Sequence, residues 1–272
     1  MTLPVATALA SMVLGMVIGS FLNVVAYRVP AGISLLRESR CPGCDTPIRP
    51  WQNIPVVSWL ALRGRCAGCR TPISWRYPVV ELATGLLFAA IAVFLPWREL
   101  APNPAAGIVA LIAFWWFAGS SVALTLIDLD THRLPNAIVY PGYAVGLTLL
   151  TLACVLGADW GALLRAGIGM VALAGVYGLL WLVRPGGMGL GDVKLAGVVG
   201  LHLGWLGWGP LAVGAVAAFL LGGIFGIGLL LASRAGRKTA IAFGPWMIAG
   251  AWTGVLAGAA IAHAYTSFAG LA

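Results

Sequence analysis

Apolar runs about as long as a bilayer is thick recur along almost the whole of this 272-residue chain, and roughly 20 such residues cross hydrocarbon as a helix. The runs cover approximately 5–26, 79–96, 107–127, 136–157, 161–183, 192–206, 209–232 and 240–263, which predicts about eight transmembrane helices. The sixth is short and carries Gly197, Gly200 and Gly204, small residues that let helices pack closely. With 61% hydrophobic residues and only eight carboxylates, the chain reads as an all-α polytopic membrane protein and not as a soluble domain.

No basic residue precedes the first run, whose first following charge is Arg28, and the run is too long for a signal-peptide core, so it reads as a retained span. Positive charge then orients the bundle, because cytoplasmic loops concentrate Lys and Arg. With the N-terminus outside, 14 of the 16 basic residues fall on the inner side, among them Arg133, Arg184, Arg234, Arg237 and Lys238. Only Arg98 and Arg165 fall outside. The net charge of +8 is explained without nucleic acid, and contact between a basic loop and anionic lipid headgroups suits it. His202, His263, Asp159 and Arg165 fall toward the outer side, as interfacial polar groups.

Carboxylates at membrane depth need an explanation, since an ionised Asp facing lipid costs at least about 2.5 to 3.5 kcal/mol. Asp192 sits in Arg184-Pro-Gly-Gly-Met-Gly-Leu-Gly-Asp-Val-Lys194, between two apolar runs, with Gly186, Gly187, Gly189 and Gly191 permitting close backbone approach. Its plainest role is to cap the next helix. Parity of the spans, however, puts Asp128, at the end of the third run, on the same side and at the same depth. Two adjacent carboxylates do not both ionise readily. Such a pair can activate water with the ionised member and protonate a scissile carbonyl with the other. Asp130 lies two residues further into the loop, beside Arg133, and has an ordinary surface explanation; His132 reads as a polar loop residue. Pro135 suits a helix first turn, and the Phe243-Gly-Pro245 segment suggests a bent helix start lining the same site.

The one large soluble element spans residues 28–78, between a first helix over 1–27 and a membrane catalytic domain over 79–272. It holds Cys41-Pro-Gly-Cys44 and Cys66-Ala-Gly-Cys69, and the octets Cys41-Pro-Gly-Cys-Asp-Thr-Pro-Ile48 and Cys66-Ala-Gly-Cys-Arg-Thr-Pro-Ile73 are one knuckle written twice. Two such hairpins offer four thiolates to one zinc ion, a closed structural site of zinc-ribbon kind. The competing reading is a pair of disulfides, which a cytoplasmic loop disfavours. Glu81, just inside the second span, reads either as a first-turn residue favoured by the helix dipole, paired with Arg76, or as a group shaping the active site.

Taken together, Gly19-Ser-Phe-Leu-Asn-Val, the two Cys knuckles, Arg76-Tyr-Pro-Val-Val-Glu81, Ile127-Asp128 with Leu134-Pro135, Gly189-Leu-Gly-Asp192-Val-Lys194 and Phe243-Gly-Pro245 resemble the prepilin peptidase, or type IV leader peptidase, family. The resemblance covers nearly the whole length; its one noted departure is Asn136, where many relatives have Asp. It implies a catalytic pair of Asp128 and Asp192, with Gly189, Gly191, Lys194 and Glu81 in support. It also implies prepilin or pseudopilin substrates, cut after Gly at the cytoplasmic face of the bacterial inner membrane. Relatives with the cysteine loop look bifunctional, methylating the new N-terminal amine with S-adenosylmethionine, although no residues here read as a methyl-donor site. Other readings are a peptidase without methylation, a membrane transporter, and an assembly subunit with a metal-folded docking loop.

Overall fold

The computed structural model describes residues 3–97, 103–184, 188–232 and 242–270. Gly186, Gly187, Arg98, Arg234, Arg237, Lys238 and the first residues of the expected 240–263 span lie outside them. The described residues form nine α-helices and no strand, and the chain divides into two compact units, residues 1–94 and 95–272.

In the first unit a long helix α1 (Leu3–Arg28) packs along α3 (Arg76–Phe94), with the cysteine loop and a short helix α2 (Val57–Ala61) between them in sequence. The α1–α3 contact is made by glycine: a Cβ on Gly15 would lie 2.7 Å from the Thr84 carbonyl oxygen, and one on Gly19 would lie 2.9 Å from the Glu81 Cα. This Gly-x-x-x-Gly spacing brings two backbones into direct contact, where no hydrophobic force between helices is available in lipid. Asn23, buried beside it, donates to the carbonyls of Gly19 and Tyr77, both at 3.3 Å. Arg28 ends α1 and turns inward; its guanidinium donates to the carbonyls of Ser34, Leu35, Arg37 and Glu38, so the chain leaving the helix wraps its own last arginine.

The second unit holds α4 (Pro104–Thr131), α5 (Asn136–Val155), α6 (Trp160–Val183), α7 (Leu190–Leu206), α8 (Trp208–Leu231) and α9 (Gly244–Phe268). α4 begins cleanly, with the Asn103 side chain accepting from the Ala105 amide and Pro104 in the first turn. It ends at His132, in the left-handed region at φ 51°, whose amide donates to the Asp128 carbonyl. α4 is central, with 61% of its most apolar stretch buried, whereas α8 buries only 11% of its own and presents the rest outward. A helix apolar on all sides yet exposed belongs in lipid.

Seven described helices are long and apolar enough to cross a membrane. The expected sixth span, α7, is the exception at 17 residues, about 25 Å of helix against a hydrocarbon core of about 30 Å. It is an inner helix: most of its side chains are buried, and Gly200 and Gly204 approach the carbonyls of Gly169 and Arg165 on α6 more closely than a Cβ would allow. His202 is accordingly not interfacial. It is 0% exposed, with Nδ1 2.9 Å from the Val198 carbonyl and its ring stacked on Phe117 at 4.3 Å. Gly146 on α5 leaves the space the ring occupies.

Candidate functional site

The carboxylate site lies where α4 ends and α7 and α9 begin. Asp128, on the last turn of α4, is buried, and its Oδ2 accepts from the amide of Gly244, the first residue of α9, at 3.1 Å. Gly is required there, since a Cβ at 244 would stand 2.6 Å from that same oxygen. Asp192, the third residue of α7, is also buried, and its Oδ2 accepts from the Gly189 amide at 3.0 Å. It thus helps to close its own helix start, with Gly189 and not Asp192 in the capping position. The two carboxylates are near enough to interact electrostatically. Leu134 holds the layers together: a Cβ on Gly191 would meet its Cβ at 3.0 Å, and one on Gly244 its Cδ2 at 3.4 Å.

Asp130 and His132 are exposed. Lys194, one turn into α7, donates to the Asn136 side-chain oxygen at 3.1 Å and lies over the Tyr140 ring at 5.4 Å. Tyr143 donates to the Lys194 carbonyl, and only a glycine at 197 leaves room for its hydroxyl. Two participants escaped the sequence reading. The Gly244 amide did so because a backbone donor has no side-chain signature, though Gly-Pro marked the segment. Tyr177 of α6, 1% exposed and within electrostatic reach of Asp192, did so because it sits in an apolar run, where its hydroxyl was the signal to notice.

The second cluster is in the first unit. The sulfurs of Cys41, Cys44, Cys66 and Cys69 all lie within 4.8 Å of one another, with 3.7 Å between Cys41 and Cys69 and 4.0 Å between Cys44 and Cys66. All four are free thiols, with no disulfide among them. The knuckles repeat bond for bond. The Cys41 and Cys66 amides donate to Thr46 and Thr71, the Asp45 and Arg70 amides donate back to Cys41 and Cys66, and Asp45 and Arg70 both take positive φ, 52° and 62°. A tetrahedron of sulfurs about 2.3 Å from a central ion has edges near 3.8 Å, so the cluster is placed to hold one metal ion. Thr71, through its hydroxyl and amide, holds the Cys69 thiol down to about 6. For Cys41 the Gly43 amide pulls the other way, yet hydrogen bonding to Cys66 and burial push the thiol up to about 11.

Glu81 is 7% exposed and accepts from the Val56 amide through Oε2 at 2.7 Å.

A bundle of apolar helices burying two interacting carboxylates at one end, joined to a four-thiol loop, defines a polytopic membrane protein with a candidate aspartate dyad. Comparison places it further: the bacterial peptidase A24 N-terminal domain matches residues 13–95 and the type IV leader peptidase family matches residues 115–227. The chain is 36% identical to a prepilin leader peptidase/N-methyltransferase of Stutzerimonas stutzeri and 35% identical to one of Pseudomonas aeruginosa, in each case over 98% of this chain and 96% of the relative. One from Myxococcus xanthus is 41% identical over 84% of this chain and 64% of its own length. No solved structure matches the chain significantly. This chain belongs to the type IV leader peptidase family.

Proposed function

We propose that the protein is an intramembrane aspartyl endopeptidase that removes the short basic leader of prepilins or pseudopilins after Gly, at the cytoplasmic face of the bacterial inner membrane, and then N-methylates the new terminus. The observation that carries the peptidase is the buried pair of Asp128 and Asp192. One ionised carboxylate takes a proton from water while the water oxygen attacks the scissile carbonyl, and its protonated partner gives a proton to the carbonyl oxygen. The resulting diol collapses as the amide nitrogen is protonated and the C–N bond breaks. The Gly244 and Gly189 amides fix one oxygen of each carboxylate, so the pair is oriented before substrate arrives. Gly189, Gly191 and Lys194 frame the pair; Glu81 supports activity from the first unit, where it fixes the backbone at Val56.

The basic loops of the inner side favour a cytoplasmic orientation. That orientation would let the dyad reach a peptide bond just outside a substrate's membrane helix. Cys41, Cys44, Cys66 and Cys69 would hold a structural zinc, whose filled thiolate shell ties the two knuckles and leaves no position for substrate. The methylation reading rests on the relatives' activity, with S-adenosylmethionine as methyl donor. Asp128→Asn should abolish leader cleavage, a loss of about 10²- to 10⁴-fold or more, while Asp130→Asn should retain it. Equal loss in both, or activity in Asp128→Asn, would remove the dyad from the account.

A further inference from the structure

The first unit presents apolar side chains uncovered by protein at the level where its membrane helices end. α1 and α3 run antiparallel, since Gly15, Gly19 and Asn23 of α1 meet Thr84, Glu81 and Tyr77 of α3 in that order. The end of α1 at Arg28 and the start of α3 at Arg76 therefore reach one membrane face. Exposed aromatic rings gather at that level, Tyr27 on α1 and Trp75 and Tyr77 around the start of α3. Such rings settle in the headgroup layer of a bilayer.

The chain leaving α1 does not run on into water from there. The Ile33 amide donates to the Arg28 carbonyl at 3.0 Å, and the buried Arg28 guanidinium donates to the carbonyls of Ser34, Leu35, Arg37 and Glu38. Residues 33–38 are thereby tied within one side chain's reach of the last helical turn. The loop is tied again at Val56, whose amide donates to Glu81 of α3 across 25 residues of sequence. Val56 stands there at φ 62° and ψ −50°, a conformation that a β-branched residue avoids, so the surroundings impose it.

On the first tie Leu36 is 96% exposed, and Leu35 is exposed beside it. Among the described residues no group pairs with the exposed Arg37 guanidinium, whereas Arg40 is taken up by Glu38 and Asp45. Residues 28–78 carry eight arginines against two carboxylates, Glu38 and Asp45. Two bare leucines beside a free cation suit an interface, where apolar side chains enter the acyl boundary and the cation meets lipid phosphate.

We propose that residues 33–37 form an interfacial anchor: Leu35 and Leu36 enter the anionic headgroup layer of the bilayer that α1 and α3 span, Arg37 meets lipid phosphate, and Arg28 is the internal brace. The start of the cysteine loop is then seated on the membrane surface. This seating is independent of the chemistry at Asp128 and Asp192.

The test uses the purified full-length protein in nanodiscs of phosphatidylcholine containing a photoactivatable phosphatidylglycerol, with a diazirine at the top of its acyl chain. Adducts are mapped by peptide mass spectrometry. They should form on residues 33–37 as well as at Tyr27 and Trp75, which report the level of the bilayer. A photoactivatable phosphatidylcholine should label residues 33–37 about fivefold less, and Leu36→Ser should lower their labelling about tenfold, with Tyr27 and Trp75 labelled as before. Arg28→Gln, which removes the brace, should lower it too, with thermal melting as the control of folding; Leu36→Ser, at an exposed position, carries the test should that variant fail to fold. Adducts at Tyr27 and Trp75 with none on residues 33–37 would overturn the anchor, and equal labelling by the two lipids would overturn its preference for anionic headgroups.

Discussion

The four-thiol cluster and the carboxylate pair are assembled in opposite ways. Cys41 to Cys69 lie within one loop, and each knuckle orders itself through hydrogen bonds between residues four or five apart, Cys41 to Asp45 and Thr46, Cys66 to Arg70 and Thr71. Asp128 and Asp192 come from separate helices, and Asp128 depends on an amide 116 residues away. The four thiols of the loop are placed to hold one metal ion, which would fix the two knuckles together. The pair is held instead by the close-packed helices around α4 and α7. Failure should therefore be local in the first case and transmitted by packing in the second.

The largest expected effect breaks the loop alone. Replacing Cys41 and Cys66 together by Ser should take bound zinc from about one per chain to none and raise hydrogen exchange over residues 41–73 toward the unfolded limit, while α4 and α7 stay protected. Zinc retained at one per chain in that variant would end the metal assignment. The next effect runs the other way. Gly244→Ala inserts a Cβ where the Asp128 carboxylate now lies, so cleavage should fall by about 10²-fold through misplacement of one carboxylate. Bound metal should not change; unaltered cleavage would show that the Gly244 contact positions nothing.

The smallest effect sharpens the cluster's own asymmetry. In metal-stripped protein Cys69, held down to about 6, ionises as pH rises past that value, whereas Cys41, pushed up to about 11, stays protonated through neutrality. The thiolate is the reactive form, so at pH 7 iodoacetamide should label Cys69 roughly tenfold faster than Cys41 by peptide mass spectrometry. The sign for metal binding follows: protons compete for Cys41 already below about 11 and for Cys69 below about 6, so affinity falls with pH and acid should release the ion.

These differences also decide what the sequence could say. The knuckles were legible because spacing and an octet repeated with six of its eight residues unchanged are local features, and the apolar runs because lipid imposes one length on every span. Asp128 and Asp192 stood out as charges in apolar surroundings. The helix α7 was harder to place, because a short glycine-rich run reads alike whether it faces lipid or other helices; only packing shows that it is internal and that His202 is core. The Gly244 amide and the clamp of Glu81 on Val56 were invisible for a related reason. A backbone donor, or a strained φ at an ordinary valine, has no residue type to announce it.

The most direct measurement of the carboxylate pair's role is the mass of a prepilin after incubation in membranes with S-adenosylmethionine and either wild type or Asp192→Asn. Wild type should yield the pilin without its leader and with one added methyl group, and Asp192→Asn should return the prepilin intact. A leaderless product from Asp192→Asn would contradict the dyad, whatever the motif and the geometry suggest.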